Sequence, residues 1–537
     1  MSIIAEKIER SHYPELPTKR RLLELPDSKL QARLSNYLLI ATVAIYCVMV
    51  YQIWNYLMDD ALIPLRPALM WLRGHGPVYN VGDHVEGWTS PFILFWWAAL
   101  LKFASIDAAI WITKITGFII GIAGICMVRT LADCCYPGKW WIGNIAGFVL
   151  VTSESWIAGS INCLETAFVS LFLLTGIIAH LKGNDKACAV LLMLATLSRP
   201  EMVIVYPLLA ILRLKRFDVN AFLFWLIPLV ALEMARIHFY HDWLPNTYWA
   251  KHVDFVDSYT GGVSYLYNNL LPTMRDPAFP QLTPWMISIA AMLTFGLTAR
   301  KQVPIIAVLI ALSVAIASSG GDWMIDGRFC TPLQPLASIV WASIFVFFFH
   351  AAVWTFGHRG QFAVWAMTVI CSVHLASITN MALPDRQYTI SHLDGVHDFL
   401  WTINQHNPLT AWPPCATDGK VVIVDWIKSH VKPGSTVAEA EMGIVPLECM
   451  NYTFLDDHGL ISREPTTMPL GHCNEGVKGW DAPLAVRTYP MTRWILSKKT
   501  DAIMWYNRSI PNGYRIVDTV TYNNWSGPHT MYWAVKN

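Results

Sequence analysis

Residues 37–57 form an unbroken uncharged run, and comparable apolar runs recur to about residue 379. Each approaches the ~20 residues a helix needs to cross ~30 Å of hydrocarbon. Further crossings are predicted near 140–158, 161–181, 220–240, 284–299, 303–319, 331–349 and 362–379. The stretch 91–128 must cross once, net, yet holds two apolar runs, so 91–104 is read as interfacial or re-entrant. In 187–212, two short runs meet at Ser198-Arg199-Pro200-Glu201. Both flanks are basic, which predicts a hairpin of short helices with Arg199 and Glu201 at its tip. The total is about eleven transmembrane helices.

After residue 384 the pattern changes. Strand-like runs at 436–440, 452–456, 501–505, 514–522 and 529–535 alternate with helical ones at 421–431 and 491–499, as in a small α/β domain. The expected organisation is a tail at 1–36, a membrane domain at 37–383 and a soluble α/β domain at 384–537. The membrane domain carries external loops at 58–90, 241–283 and 318–330.

Composition supports the membrane reading. Of 537 residues, 54% are hydrophobic and only 14% charged, against about 25% charged in soluble domains. The formal net charge of +1 gives no reason to expect nucleic acid. Lys7, Arg10, Lys19, Arg20, Arg21, Lys29 and Arg33 precede the first apolar run. The positive-inside rule therefore puts the N-terminus in the cytoplasm. The same rule assigns the clusters at Arg129/Lys139, Lys182/Lys186, Arg213–Arg216, Arg300-Lys301 and His358-Arg359 to that side, leaving 384–537 outside. The first run starts late and is long, so it reads as an uncleaved anchor.

With this topology the polar interruptions all fall on the outer side. They include Asp59, Asp60, Arg66, His75, Glu86 and Trp88 in the first loop. Glu165 follows one crossing, Arg199 and Glu201 sit at the hairpin tip, and Asn246, Tyr248, Lys251, Asp322 and Arg328 come later. A carboxylate at headgroup depth can deprotonate an acceptor hydroxyl, and Arg or Lys can hold a departing phosphate. Each residue also has a plainer reading. Asp59-Asp60 can be a solvated helix end, Arg199 with Glu201 an intramembrane ion pair, and Lys251 and Arg328 snorkelling anchors. Glu165, in an apolar run, needs a buried partner or a cavity. Most of the 25 Trp fit an interfacial belt; Trp88, Trp249 and Trp323 can instead stack on a sugar. Neither a phosphate-binding Gly loop nor metal-ligand spacing occurs in 384–537. Cys415, Cys449 and Cys473 allow one disulfide there.

Asp-Asp-Ala with Arg66 downstream, Gly74-His75-Gly76 and Glu86-Gly87-Trp88-Thr89-Ser90-Pro91 together resemble the first external loop of a group of GT-C glycosyltransferases. That group includes the mycobacterial terminal arabinofuranosyltransferase AftB and is related to pilin arabinofuranosyltransferases. Cys-Leu-Glu-Thr, Ser-Arg-Pro-Glu, Leu-Pro-Asn-Thr-Tyr-Trp-Ala-Lys and Gly-Gly-Asp-Trp-Met followed by Gly-Arg resemble further signatures in the same order. The similarity continues through Trp426-Ile427, 433–437 and 455–460. The resemblance implies a GT-C fold in a bacterial cytoplasmic membrane and a polyprenyl-phosphate sugar donor. It also implies a glycan or pilin acceptor and a catalytic Asp in the first loop, here Asp59 or Asp60. Arg66, Arg199, Lys251 and Arg328 then become donor-phosphate ligands. His75, Glu86, Trp88, Glu165, Glu201, Asn246, Tyr248 and Asp322 become sugar or acceptor ligands. No cofactor is required, although paired acids can bind a divalent cation. The competing readings are a transferase of mannose or aminoarabinose, a transporter and a scaffold. Transporters tend to show internal repeats with matched broken helices, and only one broken helix is evident.

Overall fold

The computed structural model describes residues 28–54, 56–214, 217–250, 255–270, 282–322, 327–356, 418–439, 442–456, 459–463, 494–495, 497–505, 513–524 and 527–537. The chain enters through helix α1 (Ser28–Gln52), which starts before the expected crossing at 37. A 3₁₀ turn (Asp59–Leu62) and the amphipathic α2 (Leu65–Leu72) follow. Helix α3 (Pro91–Leu101) begins with Ser90 capping Ile93 N at 3.3 Å, and Pro91 occupies the first turn, where its missing N–H costs nothing. Separated from it by a short break is α4 (Ile106–Cys135), at 30 residues about 45 Å long.

The crossing expected at 140–158 is broken. Its residues form α5 (Trp140–Val151) and the short α6 (Glu154–Ile161), which meets α7 (Thr166–Lys182) at 112°. Close packing explains why α6 sits where it does. Gly117, Gly121 and Gly124 on α4 face Ser160, Tyr46 and Trp156, and a Cβ at any of the three would collide with them. A left-handed Gly183 and the side-chain cap of Asn184 on Ala187 N then turn the chain into α8 (Asp185–Ser198).

Pro200 ends α8 by forcing the preceding Arg199 out of the helical region, to φ −149° and ψ 125°. The chain continues as a 3₁₀ turn (Pro200–Ile204) and α9 (Val205–Leu212). An Arg213–Asp185 ion pair of 3.0 Å closes the hairpin at its base, so the predicted hairpin with Arg199 and Glu201 at its tip is present. The remaining helices are α10 (Val219–Tyr240), α11 (Asn246–Ala250), α12 (Phe255–Asn269), α13 (Leu282–Thr298), α14 (Gln302–Ser318) and α15 (Gln334–Phe356).

Among the described residues three helices, α1, α4 and α10, are long and apolar enough to cross a membrane, or four if α6 and α7 count as one span; six more apolar helices have 10–17 residues. Polar breaks divide several of the expected crossings into shorter apolar helices within the polytopic helical architecture that the sequence predicts. The crossing expected at 362–379, the basic residues 7–21 and His358-Arg359, and Lys215-Arg216 lie outside the described residues.

The C-terminal region carries α16 (Asp418–His430), β1 (Thr436–Glu439), α17 (Ile444–Glu448), β2 (Thr453–Asp456), β3 (Ala502–Trp505), β4 (Tyr514–Asn524) and β5 (Gly527–Lys536). All five strands fall on the expected runs. They form a mixed sheet in the order β2-β1-β3-β5-β4, parallel on both sides of β1 and antiparallel around β5. The apolar core runs without interruption from Leu57, Leu62, Leu65 and Trp97 to Ile427, Val445, Phe454 and Trp533. The first loop is thus fused to the sheet rather than exposed as a solvated loop.

Candidate active site

Four of the breaks between helices bring charged residues to one place. The 3₁₀ turn after α1 carries Asp60, the 162–165 turn carries Glu165, the hairpin tip carries Arg199 and Glu201, and the segment before α15 carries Asp322 and Arg328. Arg328 lies 3.4 Å from Asp60 and grips Asp322 with both its Nε and its Nη2, the latter at 3.2 Å. Arg199 lies 3.0 Å from Glu165 and pairs through Nε with Glu201. The two guanidiniums stand over one ring, Phe329, at 4.1 and 5.4 Å from its centroid, an arrangement favoured by the ring quadrupole. Arg328 also feels the Glu165 carboxylate, so the two ion-pair groups form one cluster. Within it Asp322 is almost fully buried, whereas the Asp60 side chain is 28% exposed.

Local geometry fixes these positions. Cys163 adopts φ +64°, in the left-handed region that costs a non-glycine residue about 1–2 kcal/mol. The turn is held by Asn162, whose Oδ1 accepts from Leu164 N at 3.0 Å and from the Thr166 hydroxyl at 3.1 Å. The Asn162 carbonyl also accepts from Met58 N at 3.4 Å, tying the Glu165 turn to the segment before Asp60. Lys114, buried in α4, donates to the Trp54 and Tyr56 carbonyls at 2.7 Å each and fixes the end of α1. Asn162→Ala should therefore loosen the turn that carries Glu165 and lower the melting temperature of the purified protein; an unchanged melt would remove Asn162 from the positioning network.

The other sequence candidates are placed elsewhere. Asp59 is buried, and its Oδ1 accepts from Ile444 N at 3.0 Å, at the start of α17. Gly443 packs against it so closely that a Cβ there would overlap the carboxyl group. Arg66 is fully buried and donates to the backbone carbonyls of Tyr79, Pro446, Cys449 and Tyr452, away from the ion-pair cluster. Both join the first loop to the C-terminal region. Asn246 does the same, its Nδ2 shared among the Gly459, Leu460 and Ser462 carbonyls.

Glu86 pairs with Arg236 at 2.6 Å, and Arg236 also holds Glu233; burial still pushes the Glu86 carboxyl above its usual range. Trp88 is buried edge-on against Tyr240, while Tyr248 packs edge-on against Trp249 and is about half exposed. His75 is exposed. Lys251 and Trp323 lie outside the described residues, as do Cys415 and Cys473. Cys449 has no disulfide partner among the described residues, and burial pushes its thiol up to about 11. Sequence reading passed over Phe329, Asn162 and Arg236. The signal for the last was present: Glu233 and Arg236 are charges three apart inside the apolar run 219–240.

This fold has a counterpart among solved structures. The oligosaccharyltransferase AglB from Archaeoglobus fulgidus, solved with an inhibitory peptide and a dolichol-phosphate, aligns with a TM-score of 0.50 over 89% of this chain and 70% of its own, at 10% identity. The chain has the GT-C fold. ArnT from Cupriavidus metallidurans in the apo state aligns with a TM-score of 0.46 over 94% of this chain and 98% of its own, at 13% identity. No protein-family model and no curated protein matches the sequence. With its composition and apolar helices, this chain is an integral membrane protein.

Proposed function

We propose that the protein is a glycosyltransferase that moves D-arabinofuranose from a polyprenyl-phosphate donor to a cell-envelope acceptor, a pilin or an arabinan-type glycan. In this reading residues 1–36 face the cytoplasm, and the reaction and residues 384–537 lie on the outer side of the cytoplasmic membrane. The observation that carries it is the convergence of Asp60, Glu165, Arg199, Glu201, Asp322 and Arg328 around Phe329.

Asp60 is the general base. It is the more exposed of the two carboxylates on Arg328, and its contact with that cation is the longer. It can therefore take the acceptor hydroxyl proton as the sugar's anomeric carbon is attacked. Arg328 and Arg199 receive the leaving lipid phosphate, held in place beforehand by Asp322, Glu165 and Glu201 so that little reorganisation is needed at the moment of bond cleavage. Lys251 is assigned to the same phosphate from its sequence motif. The test is incubation of purified protein with synthetic lipid-phosphate arabinofuranose. Free lipid phosphate should appear, and faster with pilin peptide or arabinan oligosaccharide present; no release with either acceptor would reject the assignment.

One observation favours a second reading. Among the described residues the cluster sets four carboxylates against two guanidiniums, a balance suited to a sugar bearing a cation, such as aminoarabinose. A donor panel of arabinofuranose, aminoarabinose and mannose on the same lipid phosphate separates the two by relative kcat/KM.

A further inference from the structure

The segment between α14 and α15 carries Asp322, Arg328 and Phe329, and one face of α12 (Phe255–Asn269) lies along it. That face presents Gly261, Gly262, Tyr265 and Asn269, which follow one another at helical spacing and so share a side. A Cβ on Gly262 would run into the Ala317 backbone near the end of α14, and one on Gly261 would stand 3.3 Å from the Gly320 carbonyl oxygen. The two glycines thus let the helices approach closely enough for Tyr265 to reach the segment itself. Tyr265 packs on Gly321, where an added Cβ would lie 2.5 Å from its own Cβ. Gly321 also has φ +76°, so glycine is required there on both counts. Asn269 covers Gly327 in the same way, and its carbonyl accepts from Gln334 Nε2 at 2.6 Å, at the start of α15. One helix face therefore holds both arms of the segment that delivers Arg328.

Within that face the Tyr265 hydroxyl makes the contact nearest the cluster. It accepts from Phe329 N at 3.0 Å, and the two rings meet edge-on at 5.9 Å and 60°. Phe329 lies ahead of α15, outside that helix's own hydrogen-bond ladder, so this bond fixes its backbone from another element. The Phe329 ring is the one on which the Arg199 and Arg328 guanidiniums stand, at 4.1 and 5.4 Å. Tyr265 is itself buried, and a buried N–H that loses its acceptor will shift to find another. We propose that Tyr265 is a positioning residue of this site. Its hydroxyl holds the backbone at Phe329, and the ring of Phe329 holds Arg199 and Arg328 at the separation that lets both grip one lipid phosphate. This role rests on the transferase reading above, in which those two cations receive the leaving group, and it requires no contact between Tyr265 and substrate.

The test compares full-length wild type, Tyr265→Phe, Phe329→Leu and the double variant in detergent. Three quantities are read on each: melting temperature, affinity for undecaprenyl monophosphate, and kcat on the best donor of the panel. Tyr265→Phe removes one oxygen and keeps the ring, so its melt should stay within about 2 °C of wild type. Its affinity for the lipid phosphate and its kcat should each fall about tenfold, the scale of one hydrogen bond. In the Phe329→Leu background the same change should cost less than about twofold, because the hydroxyl then has no ring to place. A hydroxyl that only braced the fold would lower the melt in both backgrounds and leave binding and kcat alone. That result, or equal losses of kcat in the two backgrounds, would overturn the positioning role. An active wild type with an indistinguishable Tyr265→Phe would reject Tyr265 and leave the transferase reading intact. Lipid-phosphate binding that Tyr265→Phe weakens, in a wild type that releases no sugar from any donor, would reject the transfer reaction and keep Tyr265 in place. No binding of lipid phosphate by the wild type would overturn both.

Discussion

Asp60→Asn should abolish lipid-phosphate release while leaving the protein's expression and melting temperature close to wild type. Removal of a general base costs about 10²–10⁴-fold in rate, and the amide keeps the side chain's size and one oxygen toward Arg328. The neighbouring Asp59→Asn should behave in the opposite way. Asp59 is bonded to Ile444 N in the buried junction with α17. Its amide form keeps an acceptor for that N–H, so turnover should stay within about tenfold of wild type. The cost should appear as a loss of about 1 kcal/mol in stability, typical of one weakened hydrogen bond. The two adjacent acids are therefore separable by two readouts on the same samples, single-turnover release and thermal melting. Loss of turnover in Asp59→Asn with an unchanged melt, together with an active Asp60→Asn, would move the base to Asp59.

The division between the two acids shows where sequence reading stops. Charges that interrupt apolar runs were legible, because a charge at membrane depth must find a partner or a cavity. Glu165, Arg199, Glu201, Asp322 and Arg328 were all visible on that ground, and all lie in the cluster with Asp60. The strands were legible too, since β-rich runs separated by turn residues carry a local signal. What stayed hidden depends on contacts hundreds of residues apart. Nothing local to the Asp-Asp pair reveals that one acid meets Ile444 and the other Arg328. Nothing around Arg66 reveals four carbonyl partners, three of them more than 370 residues away. The resemblance implies a phosphate ligand at Arg66, whereas the structure buries the loop that carries it against the sheet region. The end of α6 stayed hidden for a related reason. Apolarity is a local property, but where α6 stops is set by its fit against the glycine face of α4.

Arg66→Met should be the most destabilising of these substitutions, and its effect on donor binding should be small by comparison. The guanidinium donates from Nε to the Tyr79 carbonyl at 2.9 Å, from Nη1 to Pro446 and Cys449, and from Nη2 to Tyr452 at 2.9 Å. It lies 5.1 and 5.2 Å from the Tyr79 and Phe454 ring centroids. A methionine of similar length preserves much of the packing and leaves those carbonyls without donors. At about 1–3 kcal/mol for each unsatisfied buried group, the loss is roughly 4 kcal/mol or more even if some relax toward water. In a protein of this size that lowers the melting temperature by about 5 °C or more. Arg66→Lys should recover only part of it, because one ammonium cannot span acceptors that a planar fork reaches from three nitrogens. Donor KM separates this role from phosphate binding. As an interface clamp, Arg66→Lys melts earlier with KM nearly unchanged; as a phosphate ligand, it would melt like the wild type and show a KM raised about tenfold.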